Sequence, residues 1–412
     1  MNALTAEGRR LFGTRLVRLF AYGFLSVVLV LYLTQVGLSE TSIGLLLTLT
    51  LVGDTAISLW ITTNADRVGR RRMLIAGAGL MILAGGVFAV ATDFVVLLIA
   101  ATIGVISPSG NEVGPFLSIE QAALAHISPG DKRTSIFAWY NLVGSFATAI
   151  GALCGGGLAQ ALQNGGFSPL NSYRVIVIGY GALGLVLMAL FTRLSAAIEL
   201  PPPAAPTRRP SRAKGVLGLH RSRGVVFKLS ALFALDAFAG GFVVQSFVAY
   251  WFHIRFGVEP ALLGGIFFGA NILAGLSALS AVAISRRIGL INTMVYTHIP
   301  SNILLMLVPL MPSLPLAILV LLLRFSISQM DVPTRQSYTL AVVEPDERSA
   351  AAGVTGVART TGAALSPSIT GALLSQAALL SAPFLIAGSL KIVYDLLLYR
   401  SFKAIRPPEE RV

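Results

Sequence analysis

The chain has 412 residues, 55% of them hydrophobic and only 12% charged, and its 31 lysines and arginines against 18 acidic residues leave a formal charge of +13. That much apolar surface behind so few charges excludes a water-soluble globular domain. The basic residues sit in short turns and not along a solvated face, which argues against a nucleic-acid partner, and the single cysteine, Cys154, excludes intrachain disulfides and cysteine-rich metal sites.

Apolar windows place about twelve membrane-length helices, near 14–35, 42–65, 73–91, 95–122, 135–161, 172–194, 228–253, 261–284, 293–311, 314–340, 350–376 and 380–402. They predict an all-α polytopic membrane protein. The polar start Met1–Arg10 precedes a full-length window, so a cleavable leader is not expected. Turns on one side carry Arg67, Arg70–Arg72, Lys132, Arg133, Arg208, Arg209, Arg212, Lys214, Arg286, Arg287 and Arg348, while turns on the other carry almost none. Cationic loops stay cytoplasmic, so both termini are expected in the cytoplasm and the protein in the cell (inner) membrane.

Between the second and third windows, Asp66-Arg67-Val68-Gly69-Arg70-Arg71-Arg72 packs charge and one glycine into a turn held between two apolar runs. Gly69 permits the chain reversal at a helix end, where a Cβ would clash. This stretch resembles the loop between the second and third helices of the major facilitator superfamily, roughly G-x-x-x-D-R-x-G-R-R. Asp66, Arg67, Gly69, Arg70 and Arg71 match, and Thr62 stands where glycine is usual. The resemblance implies that Asp66, Arg67, Gly69 and Arg70 form a cytoplasmic gate.

In the fifth window Ala147, Gly151, Ala152, Gly155 and Gly156 keep the small-residue spacing that antiporters of this superfamily carry, with alanine at its proline position. The eleventh window repeats it as Gly362, Ser366, Pro367, Thr370 and Gly371. The plainer reading is close helix packing, since small residues let backbones approach. The family's drug antiporters usually carry an arginine in the fourth helix, at the position of Ile103 here.

The proline-rich, basic segment 195–227 reads as an extended cytoplasmic tether dividing an N-terminal six-helix half, 1–194, from a C-terminal half, 228–412. An internal repeat supports duplicated halves. Gln121–Arg133 aligns with Gln336–Arg348, Asp66–Gly69 with Arg286–Gly289, and Phe20–Phe24 with Phe238–Phe242. The expected fold is that of the superfamily, twelve transmembrane helices in two pseudo-symmetric halves of six.

Ionisable groups inside a membrane are costly, about 2.5–3.5 kcal/mol each on insertion scales, so each needs a reason. Asp54, Glu112 and Asp331 are the candidate proton-coupling carboxylates. Asn111, Arg324, Gln329, Arg359, Lys391 and Gln245 are the candidate substrate-binding residues. The N-terminal half is expected to bring acids to the midplane and the C-terminal half mostly bases. The competing reading makes these charges permanent ion pairs, with Asp331 and Asp395 as internal partners of the bases. Cys154 reads as a small packing residue.

No G-x-x-x-x-G-K-[ST] pattern supports ATP-driven pumping, no cluster has metal-ligand spacing, and no catalytic constellation is visible. No cofactor, metal or enzymatic activity is expected. The reading is a secondary transporter of a small organic solute working by alternating access. Proton-coupled efflux by antiport, as in the twelve-helix efflux permeases, is expected first, and proton-coupled uptake of an organic anion by symport is the alternative. Its partners are the small-molecule substrate, protons and membrane lipids, with no nucleic acid, and a monomer is expected.

Overall fold

The computed structural model describes residues 5–112, 114–127, 133–199, 219–344 and 347–405. Sixteen α-helices carry them: α1 (Ala6–Ser26), α2 (Leu29–Gln35), α3 (Glu40–Val68), α4 (Arg70–Val90), α5 (Phe94–Ile103), α6 (Phe116–Ile127), α7 (Arg133–Asn164), α8 (Pro169–Thr192), α9 (Arg223–Gly241), α10 (Gln245–Phe256), α11 (Pro260–Ile288), α12 (Leu290–Leu307), α13 (Leu314–Phe325), α14 (Asp331–Ala341), α15 (Arg348–Leu374) and α16 (Ala382–Phe402). Each of the twelve windows holds helix. Among the described residues eight stretches are long and apolar enough to cross a membrane, or nine if α1 and α2, bent by 45°, count as one.

Several windows are broken where an unbroken helix was expected, and local sequence explains why. The fourth splits into α5 and α6 because Gly104, Pro108, Gly110, Gly114 and Pro115 crowd twelve residues, with Gly110 and Gly114 at φ of 69° and 80°. A break inside a membrane frees backbone carbonyls, and each needs a donor. Tyr180 donates its hydroxyl to Val105 O, Thr148 Oγ1 donates to Gly110 O at 3.2 Å, and Ser107 Oγ donates to Asn111 O at 2.7 Å. Ser246 donates both its backbone N–H, at 3.0 Å, and its hydroxyl, at 2.6 Å, to Pro108 O. The tenth window likewise parts between α13 and α14 at Ser326–Met330. The seventh begins at Arg223 and breaks at Phe242–Val244.

The chain divides into two compact units. The first contains residues 1–201 and 244–272, the second residues 202–243 and 273–412. In the first unit α7 lies along α1, and in the second α15 lies along α9. Small residues make both seams. A Cβ on Gly151 would stand 2.1 Å from Phe20 O, and one on Gly155 2.1 Å from Phe24 O. In the second unit a Cβ on Gly362 would stand 2.3 Å from Ala234 O, and one on Gly241 2.1 Å from Ser366 Oγ. Backbone meets backbone at both seams, which is the packing reading of the small-residue stripe. Cys154 is a correction, for it is exposed on α7 and not packed.

Gly69 and Gly289 occupy the same place in their two hairpins, at φ of 113° and 85°, each ending one long helix and opening the next. The repeat aligned in the sequence is therefore also a repeat of backbone conformation.

Candidate functional site

In the first unit, Arg15 and Arg18 lie three residues apart on α1 and so share one face. Arg18 is fully buried. Its Nε donates to Glu112 Oε1 at 2.8 Å, while Nη1 and Nη2 donate to Glu120 Oε1 and Oε2 at 2.8 and 2.7 Å. Arg15 Nη1 donates to Glu112 Oε2 at 2.7 Å and its Nε to Tyr140 O at 2.8 Å. Thr14 Oγ1 and the Tyr140 hydroxyl also donate to Glu120. Two guanidinium groups face two carboxylates, with aromatic rings closing the shell. Arg15 stands 4.3 Å over Tyr140 and Arg18 4.8 Å over Phe116.

Asp54 stands apart. It lies mid-helix on α3, half-buried, and accepts from Ser58 Oγ at 3.4 Å. Among the described residues no ion pair reaches it.

In the second unit Asp236 on α9 is the hub. Lys391 Nζ reaches Asp236 Oδ1 at 2.5 Å, and Arg335 Nη1 and Arg359 Nη1 reach Oδ2 at 3.1 and 3.3 Å. Arg335 Nη1 also holds Asp331 Oδ2 at 2.8 Å, one turn away on α14. Three cations thus meet two acids. The side chain of Arg359 is 34% exposed, against 7% for Arg335 and 10% for Lys391, so Arg359 is the arm of the cluster that faces outward. Beyond it, Asp395 accepts from Asn302 Nδ2 at 3.1 Å and lies 2.9 Å from His298 Nδ1.

The structure thus gathers Asp331, Arg359 and Lys391 around Asp236, and it gives Glu112 two arginine partners. It does not bring Arg324 or Gln329 into that cluster. Arg324 ends α13 with its guanidinium 4.7 Å over Phe325 and its Nε buried without a hydrogen-bond partner among the described residues. Gln329 lies in the turn before α14, its backbone N–H donating to Ser277 Oγ at 3.2 Å. Asn111 is exposed in the break between α5 and α6. Gln245 opens α10 in the first unit, donating to Ser26 Oγ at 2.8 Å and accepting from Asn271 Nδ2 at 3.1 Å.

At the predicted gate the Asp66 side chain lies outside the described residues, and Arg67 is exposed. Arg70 is buried, its Nη1 donating to Ile198 O at 3.1 Å. The backbone N–H groups of Arg70 and Arg71 donate to Glu199 at 2.7 and 3.0 Å. The carboxylate of Glu199 thus sits on the N-terminus of α4.

The expected asymmetry, acids from one half and bases from the other, is corrected: each unit pairs its charges internally. Arg15, Arg18, Glu120 and Asp236 carry no role in the sequence reading. The signal for them lies in the repeat. The offset aligning Phe20 with Phe238 also sets Arg18 against Asp236, and the offset aligning Gln121 with Gln336 sets Glu120 against Arg335. The same helix pair is bridged in each unit, with the signs exchanged. Among the described residues no group of three or more His, Cys, Asp or Glu side chains gathers to hold a metal ion.

Breaks within the fourth and tenth windows carry buried ion pairs beside them, through Glu112 and Asp331. The model of the Major Facilitator Superfamily matches residues 11–367. The chain belongs to the major facilitator superfamily. A membrane protein of Saccharomyces cerevisiae described as uncharacterized, YJR124C, is 32% identical over 415 residues, spanning 94% of this chain and 92% of its own. The quinolone resistance protein NorA of Staphylococcus aureus is 26% identical over 164 residues, 40% of this chain and 38% of its own. Among solved structures, an inward-facing bacterial homologue of the human lysosomal transporter Spinster matches with a TM-score of 0.69 at 15% identity, covering 96% of this chain and 94% of that one. At that identity the match concerns the fold. This major facilitator superfamily protein is an integral membrane protein with several spans, a secondary transporter of small molecules and not an enzyme.

Proposed function

We propose that this transporter couples proton entry to efflux of a small organic solute by alternating access, with Asp54 as the proton carrier. The observation that carries the reading is the isolation of Asp54. Glu112, Glu120, Asp236 and Asp331 each sit within an ion pair, whereas among the described residues Asp54 meets neutral donors, the Ser58 hydroxyl at 3.4 Å and the Gly114 backbone, and no cation. A carboxylate in a low-dielectric site without a cation beside it is neutralised most cheaply by a proton. Glu112, doubly held by arginine, serves better as a fixed brace between α1 and the break after α5. Similarity to the quinolone resistance protein NorA over part of the chain supports efflux as the direction.

The same reading takes 1–194 and 228–412 as the two six-helix halves, 195–227 as their cytoplasmic tether, both termini in the cytoplasm of an inner membrane, and a monomer as the working form. The hairpin glycines and the sign-exchanged ion pairs support the duplication. Asp66, Arg67, Gly69 and Arg70 are assigned to the cytoplasmic gate, with Glu199 as the carboxylate that anchors it.

Proton-coupled uptake of an organic anion is favoured by one observation, the partly exposed Arg359 on a cluster with three cations and two acids. A guanidinium held at one Nη keeps donors for a carboxylate or phosphate. The test is a pH-gradient assay in proteoliposomes with a quinolone, an organic cation, a neutral solute and an organic anion. Proton-driven export of the quinolone or cation, lost in Asp54→Asn, supports the proposal. Accumulation of the anion alone, lost in Arg359→Ala and intact in Asp54→Asn, replaces it with uptake.

A further inference from the structure

Four residues of the second unit form a buried polar group that neither the gate nor the Asp54 proposal uses. His298 sits midway along α12, with Asn302 one turn further on the same face. Both face α16, where Asp395 follows Lys391 by one turn. His298 Nδ1 lies 2.9 and 3.1 Å from the two oxygens of Asp395, and Asn302 Nδ2 donates to Oδ2 at 3.1 Å. Asp395 and Asn302 are fully buried, and His298 is 5% exposed. The ring of Tyr394 stands edge-on to the imidazole at 6.0 Å. Among the described residues no hydrogen bond engages Nε2 of His298.

We propose that the His298–Asp395 pair is a proton-binding site of the second unit, electrostatically coupled to the Asp236 cluster through Lys391. Three observations join here. Asp395 accepts from Asn302 Nδ2 and faces His298 Nδ1 with both of its oxygens, so the carboxylate and the ring meet a proton as a pair. Imidazole is the side chain that changes charge between roughly pH 5 and 8. The neighbouring charges are also nearly balanced. Asp236 comes from α9, Asp331 and Arg335 from α14, Arg359 from α15, and Lys391 from the turn of α16 before Asp395; Arg324 on α13 feels the charge of Asp331 but makes no ion pair with it among the described residues. With Asp395 counted, three acids face three cations while His298 is neutral. A proton arriving from water at the imidazole therefore adds one uncompensated positive charge beside Asp395, which lies one turn from Lys391. That charge repels Lys391 and weakens its hold on Asp236, which is how occupancy of this pair reaches the partly exposed Arg359. No bond to carbon changes, and the proton returns to water when the site reopens.

The inference uses the transport reading for its purpose but not for its chemistry, so it is tested by proton binding itself. Purified protein in weakly buffered detergent is acidified from about pH 8 to about pH 5 and its proton uptake measured potentiometrically, a range in which one histidine contributes about one proton. The expected result is that His298→Gln takes up about one proton fewer than the native chain, while Asp54→Asn retains the His298 proton. Equal uptake by native protein and His298→Gln overturns the proposal. If His298→Gln does not fold, a chain with His126→Gln, His220→Gln and His253→Gln leaves His298 as its one histidine. Nitrogen-labelled histidine in that chain must show a pH-dependent ring signal, lost from the same range in Asp395→Asn. A ring signal constant across the range refutes the inference. Loss of proton-driven transport in Asp54→Asn together with a silent His298 would remove this site alone and leave the transport reading standing.

Discussion

Asp236 holds three cations with one carboxylate, and the structure allows the cost of removing it to be worked out partner by partner. In Asp236→Asn, Arg335 keeps Asp331 at 2.8 Å, and Arg359 is exposed enough to turn toward water. Lys391 has neither escape, since its side chain is 10% exposed and its ion pair is with Asp236. A single uncompensated buried charge costs about 3–5 kcal/mol. For a folding unit of about 200 residues, each kcal/mol lowers the melting temperature by about 2–4 °C, so the variant should melt about 6–20 °C below the native protein. Adding Lys391→Met restores the native excess of one cation and fills the space with an apolar chain of similar length. The double variant should then recover all but about 1.5 kcal/mol of the loss. The assay is thermal unfolding in detergent of the native protein, both single variants and the double variant. A fall of less than about 2 °C in Asp236→Asn, or losses that simply add in the double variant, would refute the reasoning.

Exchanging Arg18→Glu with Glu120→Arg should recover most of the stability lost by either change alone, because the second unit bridges the same helix pair with acid and base reversed. Thermal unfolding of the three variants decides it. Gly155→Val forces a side chain into Phe24 O, where a bare Cβ would stand at 2.1 Å, so it should cost at least about 1–3 kcal/mol, while Gly157→Val, with open space around it, should melt near the native protein. Glu347 accepts from the backbone N–H groups of His220, Arg221 and Ser222 at the start of α9. Burial alone would raise its pKa, but those donors hold it at about 2 against an ordinary 4.5. A carboxylate lowered in the folded state stabilises above its unfolded pKa and loses that stabilisation as pH falls through the folded one. Amides 220–222 should therefore exchange faster in Glu347→Gln than in the native chain at pH 7, with the difference shrinking between about pH 4.5 and about pH 2. A difference that grows on acidification contradicts the assignment.

The helices were legible because apolar runs of membrane length admit little else, and the hairpin turn at Gly69 was legible because charge and glycine coincide there. The breaks were not, although their residues were in view. Hydropathy averaged across Gly104–Pro115 still reads as one span, and whether a break is tolerated depends on donors such as Tyr180, Thr148 and Ser246 from distant helices. The charge network was hidden differently. Arg15 and Arg18 stand at the edge of the first window, where a basic residue usually marks a membrane boundary, and their partners Glu112 and Glu120 lie about a hundred residues on. Their counterparts in the other unit carry opposite signs, so a search for matching residues passes over them. At the proposed gate the side chains of the motif drew attention, while the backbone N–H groups of Arg70 and Arg71 hold the carboxylate of Glu199.

The central claim is that an isolated carboxylate on α3 carries the transported proton, and one comparison tests it most directly. Native protein and Asp54→Asn are reconstituted side by side, and export driven by a pH gradient is measured against solute exchange at equal pH. The account predicts that Asp54→Asn abolishes gradient-driven export while exchange persists at a rate similar to the native one. Gradient-driven export that survives in Asp54→Asn would contradict it.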